Sequence, residues 1–71
     1  AKYNLGVMYE FGEGVEQSYK MAYENYIYAA RQDNLESQIK VSEMYKTGSG
    51  TDQDLEKSSY WLKKIEASKA K

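Results

Sequence analysis

The chain has 71 residues, of which 41% are hydrophobic and 30% are charged, and its net charge is −1. It contains neither cysteine nor histidine, which excludes disulfide bonds and histidine-ligated metal sites. For so small a core, we therefore expect either very regular helix packing or a chain that is part of a larger array. The near balance of charge argues against a nucleic-acid or membrane-surface protein, and no apolar run approaches the roughly 18 residues that span a bilayer.

The first predicted helix has two apolar sides. One side carries residues at helical spacing that are expected to lie in the core: Ala1, Leu5, Met8 and Tyr9. A second stripe faces roughly the opposite way: Tyr3, Val7 and Phe11. Gly12 and Gly14 end this helix, because glycine tolerates the left-handed backbone that follows a helix C-terminus.

The second predicted helix begins after Ser18, which can cap it. Its apolar stripe is continuous and includes alanines that let neighbouring helices approach closely: Tyr19, Ala22, Tyr23, Tyr26, Ala29 and Ala30. Asp33, with Glu36 three residues later, has the form of a capping box that opens the third helix.

The third and fourth predicted helices follow the same plan. The third draws its apolar residues from Ile39, Val41, Met44 and Tyr45, and it ends at Gly48 and Gly50. Asp54 is expected to cap the fourth, whose stripe is Leu55, Leu62 and Ile65. The sole tryptophan, Trp61, is expected in the core rather than as an exposed anchor. No segment alternates like a strand, so the prediction is an all-α fold of four antiparallel helices.

The two halves of the chain are related by a shift of 36 positions. The shift pairs identical residues at Met8/Met44, Tyr9/Tyr45, Gly12/Gly48, Gly14/Gly50 and Gln17/Gln53. Most matched positions are apolar or glycine, which are the ones that carry structure, so they indicate a duplicated helix–turn–helix unit. We predict a single domain, 1–71, made of a first repeat at 1–36 and a second, degenerate repeat at 37–71.

These units resemble the Sel-one-like repeat, a relative of the tetratricopeptide repeat. The first unit carries the family pattern at Ala1, Leu5, Gly6, Tyr9, Gly12, Gly14, Val15, Ala22, Tyr26, Ala29 and Ala30. The second retains Tyr45, Gly48, Gly50, Asp54, Lys57 and Trp61, but Ser42 replaces a glycine and Ile65–Glu66 replaces an alanine pair. The resemblance implies an α/α solenoid, a right-handed superhelix whose concave face binds peptides or proteins. The degraded second unit is interpreted as the cap at the C-terminal end of an array.

The first function hypothesis is therefore an adaptor or scaffold module that binds a protein or peptide partner, without catalysis and without a cofactor. Its candidate binding residues are the second stripe of the first helix and polar neighbours on the first and third helices: Tyr3, Val7, Phe11, Lys2, Asn4, Lys40, Glu43 and Lys46. Packing of the stripe against adjacent helices is the alternative interpretation. A second hypothesis is a capping or self-associating part of a longer array. A third is a hydrolase like the β-lactam-linked relatives, which are cysteine-rich, as this chain is not.

Other chemistry lacks its sequence requirements. A phosphate loop needs a lysine, followed by serine or threonine, directly after its last glycine. The glycine pairs do not meet this requirement, because Val15 follows Gly14 and Thr51 follows Gly50. Glu10, Glu13 and Glu16 are interpreted as a solvated acidic loop rather than a calcium or acid–base site. With no histidine base and no serine in a G-x-S-x-G context, the sequence predicts neither a catalytic nor a metal site.

Overall fold

The computed structural model describes residues 2–69, which form four α-helices joined by short turns and contain no strand. In chain order the helices are α1 (Lys2–Phe11), α2 (Tyr19–Arg31), α3 (Leu35–Thr47) and α4 (Leu55–Lys69). The main packing joins helices that are neighbours in the chain: α1 with α2, α2 with α3, and α3 with α4. The predicted all-α, four-helix fold is confirmed. Ala1, which the sequence placed on the core side of the first helix, lies outside the described residues.

Side-chain caps begin two of the helices as predicted. The Ser18 hydroxyl oxygen accepts a hydrogen bond from the backbone N–H of Met21 at 3.2 Å. Asp54 Oδ1 accepts one from the N–H of Lys57 at 3.1 Å. Each bond satisfies a backbone donor that has no partner inside its own helix, so the starts of α2 and α4 are encoded locally.

The predicted cap of α3 is wrong. The cap is Asn34, whose Oδ1 accepts from the N–H of Ser37 at 2.8 Å. Asp33 instead has a φ of 66° and donates its N–H to the carbonyl of Ala30, so it ends α2 rather than opening α3. The connection between these helices is so short that one residue must leave α2 in the left-handed conformation while the next begins α3.

Glycine closes the turn inside each repeat, as predicted. Gly48 adopts a left-handed φ of 75° at the end of α3, and its N–H donates to the carbonyl of Met44 at 2.8 Å. Gly12, its counterpart in the first repeat, has a φ of 69°. A residue with a Cβ would be strained at either position.

A glutamine at the equivalent position of each repeat stabilises the turn. Gln17 Nε2 donates to the backbone carbonyl of Glu10, and Gln53 Nε2 donates to that of Lys46, each at 2.8 Å. The side chain therefore ties the start of the second helix of each unit back to the end of the first. This bond explains why glutamine is one of the few identities between the two repeats.

The core lies around α2 and α3. Its buried residues are Ala22, Tyr26, Ala30, Val41, Met44, Tyr45 and Trp61, which confirms the core placement of Trp61. The hydroxyl groups of Tyr23 and Tyr45 hydrogen-bond to each other, and their rings meet edge to face with centroids 5.6 Å apart. Burial, with the Tyr45 hydrogen bond, raises the pKa of Tyr23 to about 12. Tyr23 therefore stays a neutral phenol, and its contact with Tyr45 joins α2 to α3.

Part of the predicted core is wrong. Five residues assigned to buried stripes are exposed: Leu5, Tyr19, Ile39, Leu55 and Leu62. Helix α4 instead buries Ser58, Trp61 and Ile65. The Ser58 hydroxyl donates to the carbonyl of Ser42 at 2.9 Å, so a small polar side chain forms the contact with α3. Among the described residues α4 packs mainly on α3, and Leu62 lies on a side of α4 that stays 48% exposed.

Candidate protein-interaction surface

Helix α1 packs on α2 through one face that runs over Tyr26. Gly6 is buried there, and a Cβ at this position would lie 2.6 Å from the Tyr26 ring. The ring of Tyr3 packs against the same ring with centroids 5.7 Å apart, and Val7 contacts the core beside it. Together with Glu10, these residues have the spacing of a single helical face. This face fixes α1 against the core.

Glu10 joins three helices. The Tyr26 hydroxyl donates to Glu10 Oε1 at 2.7 Å, and Lys40 Nζ of α3 lies 3.4 Å from the same oxygen. Burial raises the pKa of Tyr26, and the hydrogen bond and charge of Glu10 raise it further. The phenol therefore stays protonated and remains a donor to the carboxylate.

Beside this junction lies an open aromatic and charged surface. Phe11 is 61% exposed, and Lys40 Nζ lies 5.8 Å from the centre of its ring. Glu10, Lys40 and Glu43 line an adjacent depression of about 230 Å³, together with Tyr19, Met44, Thr47 and Ser49. We refer to Glu10, Phe11, Lys40 and Glu43 as the α1–α3 surface.

The structure brings some of the predicted binding residues together and separates others. Phe11, Lys40 and Glu43 meet on the α1–α3 surface. Tyr3 and Val7 are half-buried against the core, which agrees with the alternative that they pack against neighbouring helices. The remaining three are exposed elsewhere on α1 and α3: Lys2, Asn4 and Lys46.

Lys2 belongs to a different part of the molecule from the α1–α3 surface. Its ammonium group lies 5.3 Å from the centre of the Tyr28 ring on α2. With Tyr3 it lines a separate depression of about 540 Å³ between the start of α1 and the end of α2. The two polar ends of α1 therefore face different surroundings.

Glu10 was missed as a site residue because the sequence grouped it with Glu13 and Glu16. Those two carboxylates are exposed, whereas Glu10 is half-buried at the helix junction. A signal for the difference was available, since Glu10 follows Tyr3 and Val7 at helical spacing and so extends their face.

The described residues were also compared with the requirements of a metal site and of a membrane-spanning helix. Within residues 2–69, no cluster of three or more acidic side chains is arranged to hold a metal ion. None of the helices described is both long enough and apolar enough to cross a membrane.

Two like helix–turn–helix units, whose first helices are linked by the Lys40–Glu10 ion pair, define an α/α helical-repeat protein. The family model of the Sel1 repeat matches residues 1–34 and 35–65, and the chain belongs to the Sel1 repeat family. Sel1 repeats are a non-catalytic repeat type, generally found as protein-interaction modules. The predicted division into repeats at 1–36 and 37–71 stays a prediction.

A solved structure supports the same fold. The chain is similar to the protein described as "Crystal structure of Sel1 repeat protein from Oxalobacter formigenes", with a TM-score of 0.86 and 26% sequence identity. The match covers 90% of this chain and 26% of that one, so the chain spans about a quarter of that protein's length. Comparison with curated proteins gives no match. The expected helical-repeat solenoid is confirmed.

Proposed function

We propose that the chain is an adaptor or scaffold module that binds a peptide or protein segment at the α1–α3 surface, without catalysis. The observation that carries the proposal is the 61% exposure of Phe11 beside the Lys40–Glu10 ion pair. Aromatic residues, phenylalanine among them, are enriched in protein interfaces, where large aromatic side chains often act as anchors. Their burial against a partner contributes the apolar part of the binding energy.

The charged groups of this surface suit the orientation of a partner. Lys40 and Glu43 carry opposite charges on one side of α3. A bound segment with a negative charge near Lys40 and a positive charge near Glu43 would therefore be held in one orientation. Glu10, which the Tyr26 hydroxyl holds in place, keeps the Lys40 ammonium beside Phe11. A partner would therefore meet side chains that are already ordered, which lowers the entropy lost on binding.

The other predicted residues have supporting places in this proposal. Tyr3 and Val7 support the surface indirectly, because they pack against the core and hold α1 there. The exposed Asn4 and Lys46 are proposed to contact a partner that extends beyond the α1–α3 surface, and Lys2 would do so at the opposite end of α1.

We expect Phe11→Ala to weaken partner binding by about tenfold or more, the loss typical of an aromatic anchor. Peptides selected from a random library for binding to the chain would serve as ligands, with affinities measured by calorimetry. Leu55→Ala is the matched control, because Leu55 is also 61% exposed but lies on α4. Equal losses in the two variants, or no loss in Phe11→Ala, would remove the α1–α3 surface from the proposal.

A second candidate function, capping or self-association within an array, is favoured by one comparison between the repeats. Leu5 stands in α1 where Val41 stands in α3, yet Leu5 is 39% exposed and Val41 is fully buried. The adjacent Gln38 shows what covers the α3 side, since its Nε2 donates to the carbonyl of Ala30 on α2. The equivalent side of α1 would accept a helix of the same kind as α2.

The opposite end of the chain is less suited to such stacking. Leu62 of α4 occupies the place of Tyr26 in α2, but it is 48% exposed whereas Tyr26 is fully buried. Lys63 and Glu66 replace the apolar residues that α2 presents to α3 at the equivalent positions. A polar outer helix is what a terminal repeat needs, so this face supports the capping role.

If the α1 side drives self-association, sedimentation of the chain should show dimers whose fraction rises with concentration. Leu5→Arg should abolish them, because it places a charge on the apolar contact. Leu62→Arg, on the face assigned to solvent, should leave them unchanged. A folded monomer at every concentration would contradict self-association and leave the peptide-binding role in place.

A further inference from the structure

A second depression, of about 370 Å³, lies between α2, α3 and α4. Its lining residues are Ile27, Arg31, Tyr45, Lys57, Tyr60, Trp61 and Lys64. Three of these side chains are cations, three are aromatic, and none is acidic. We call it the second-repeat pocket; it shares no residue with the α1–α3 surface.

Aromatic rings form the floor and one wall of this pocket. Tyr45 and Trp61 are buried, and the exposed ring of Tyr60 meets the ring of Trp61 edge to face at 5.4 Å. Lys57 Nζ lies 5.6 Å from the centre of the Tyr45 ring, and Lys64 Nζ lies 5.8 Å from that of Trp61. A ring attracts an ammonium group through its face without occupying all three N–H donors. Donors therefore remain for a ligand.

The cations of the pocket are not neutralised by carboxylates. In residues 2–69 the one ion pair within 4.0 Å is Lys40 with Glu10, outside the pocket. Asp54 accepts the backbone N–H of Lys57, and Asp33 lines a neighbouring depression that Lys64 also borders. Neither carboxylate lies within 4.0 Å of a cation of the pocket. The pocket therefore presents concentrated positive charge on a chain whose net charge is negative.

Five of the seven lining residues of the pocket belong to the second repeat, and Ile27 and Arg31 come from α2 of the first. The first repeat has Met21, Glu24, Asn25 and Tyr28 where the second has Lys57, Tyr60, Trp61 and Lys64. Lys57 and Trp61 match the repeat pattern, which accounts for their presence. Tyr60 and Lys64 fall at variable positions of that pattern, and with Arg31 they turn a structural contact into a cationic, aromatic recess.

We propose that the second-repeat pocket binds an acidic peptide segment in which carboxylates flank an apolar side chain. The forked guanidinium of Arg31 matches a carboxylate, and Lys57 and Lys64 supply further donors. The Tyr60 ring offers an apolar face to the central side chain. Nucleic acid fits less well, because a long polyanion needs an extended basic track, whereas residues 1–36 carry three more acidic than basic side chains.

The sole tryptophan makes this pocket observable in the full chain, since Trp61 lies in its floor. The probe is a blocked peptide of four glutamates around one leucine, and the control peptide has glutamine at those four positions. Titration with the glutamate peptide should change the Trp61 emission in a saturable way and bind at least about tenfold more tightly than the control. Added salt should weaken this binding.

Matched variants locate the site. The double variant Arg31→Gln, Lys64→Gln should bind the glutamate peptide at least about tenfold more weakly than the parent chain. Lys20→Gln with Lys63→Gln removes the same charge outside the pocket and should keep the affinity. Both variants should retain the helical circular dichroism of the parent. Equal binding by the two double variants, or equal binding of the two peptides, would overturn the proposal. The proposal would also be overturned if a single-stranded oligonucleotide displaced the bound glutamate peptide more strongly than free glutamate peptide does.

The outcome is separable from that of the α1–α3 surface. Phe11→Ala should leave the glutamate peptide bound, because Phe11 is not part of the pocket. Loss of peptide binding in Phe11→Ala would place the acidic peptide on the α1–α3 surface and contradict the second-repeat pocket.

Discussion

Gly50→Ala should lower the free energy of unfolding by about 3 kcal/mol, whereas Gly14→Ala should lower it by about 1 kcal/mol. The two glycines are equivalent in the repeats and have similar φ angles, 74° and 76°. A Cβ at Gly50, however, would lie 2.2 Å from the carbonyl oxygen of Tyr19. A Cβ at Gly14 would meet the methyl group of Met8 at 3.5 Å, which is ordinary contact.

Urea unfolding followed by circular dichroism would measure both losses of stability, and each variant differs from the parent chain by one methyl group. The shared part of the two losses reports the cost of a positive φ, and the excess in Gly50→Ala reports the collision with backbone that cannot move aside. Equal losses would show that the second turn does not press against the start of α2. The expected difference makes Gly50 a contact between repeats as well as a turn residue.

Gly6→Ala is the second change with a large expected effect, about 2 kcal/mol of lost stability. Its Cβ would lie 2.6 Å from the ring of Tyr26, which is fully buried and hydrogen-bonded to Glu10. The second repeat has Ser42 and Leu62 at the two equivalent positions, so a larger residue accompanies a smaller partner there. Tyr26→Leu should therefore relieve part of the conflict.

A double-mutant cycle measures that relief. Tyr26→Leu alone should also be destabilising, because it removes a buried ring and the hydrogen bond to Glu10. The loss in the Gly6→Ala, Tyr26→Leu chain should be smaller than the sum of the single losses by about 1 kcal/mol or more. Strict additivity would contradict direct steric coupling between Gly6 and Tyr26.

The features that could be predicted from the sequence depend on short-range chemistry. Gly12 and Gly48 mark the turns because few other residues tolerate a positive φ. Ser18 and Asp54 cap helices through bonds that reach three residues along the chain. The internal shift of 36 positions then gave the arrangement of helices, because a duplicated unit must pack in a duplicated way.

Burial could not be predicted equally well, because it depends on which helix covers a given face. Leu5 and Val41 have the same place in the repeat pattern, but only Val41 has a preceding repeat over it within the described chain. Apolar periodicity also passes over Ser58, which reaches α3 through a hydrogen bond rather than through apolar area. A stripe of apolar residues thus marks a helix more securely than it marks the core.

The candidate site was partly hidden for a related reason. Glu10 differs in sequence from the exposed Glu13 and Glu16 by extending the helical face of Tyr3 and Val7, but this spacing does not show what the face contacts. Its position comes from Tyr26 and Lys40, which belong to other helices. Adjacent residues that suit the same role pose the same difficulty, since both Asp33 and Asn34 can cap a helix and only the length of the connection decides between them.

The order of packing along the chain has a thermodynamic consequence for binding. Among residues 2–69, α1 packs mainly on α2, whereas α2 and α3 each pack on two helices, so we expect α1 of this chain to open more readily than the middle pair. Phe11 and Glu10 leave the α1–α3 surface whenever α1 undocks, and the observed affinity of a partner is scaled by the fraction of molecules in which α1 is docked. By the same linkage, a partner that binds this surface stabilises the docked first helix. Substitutions that loosen α1 would then act as remote modulators of affinity without touching the ligand.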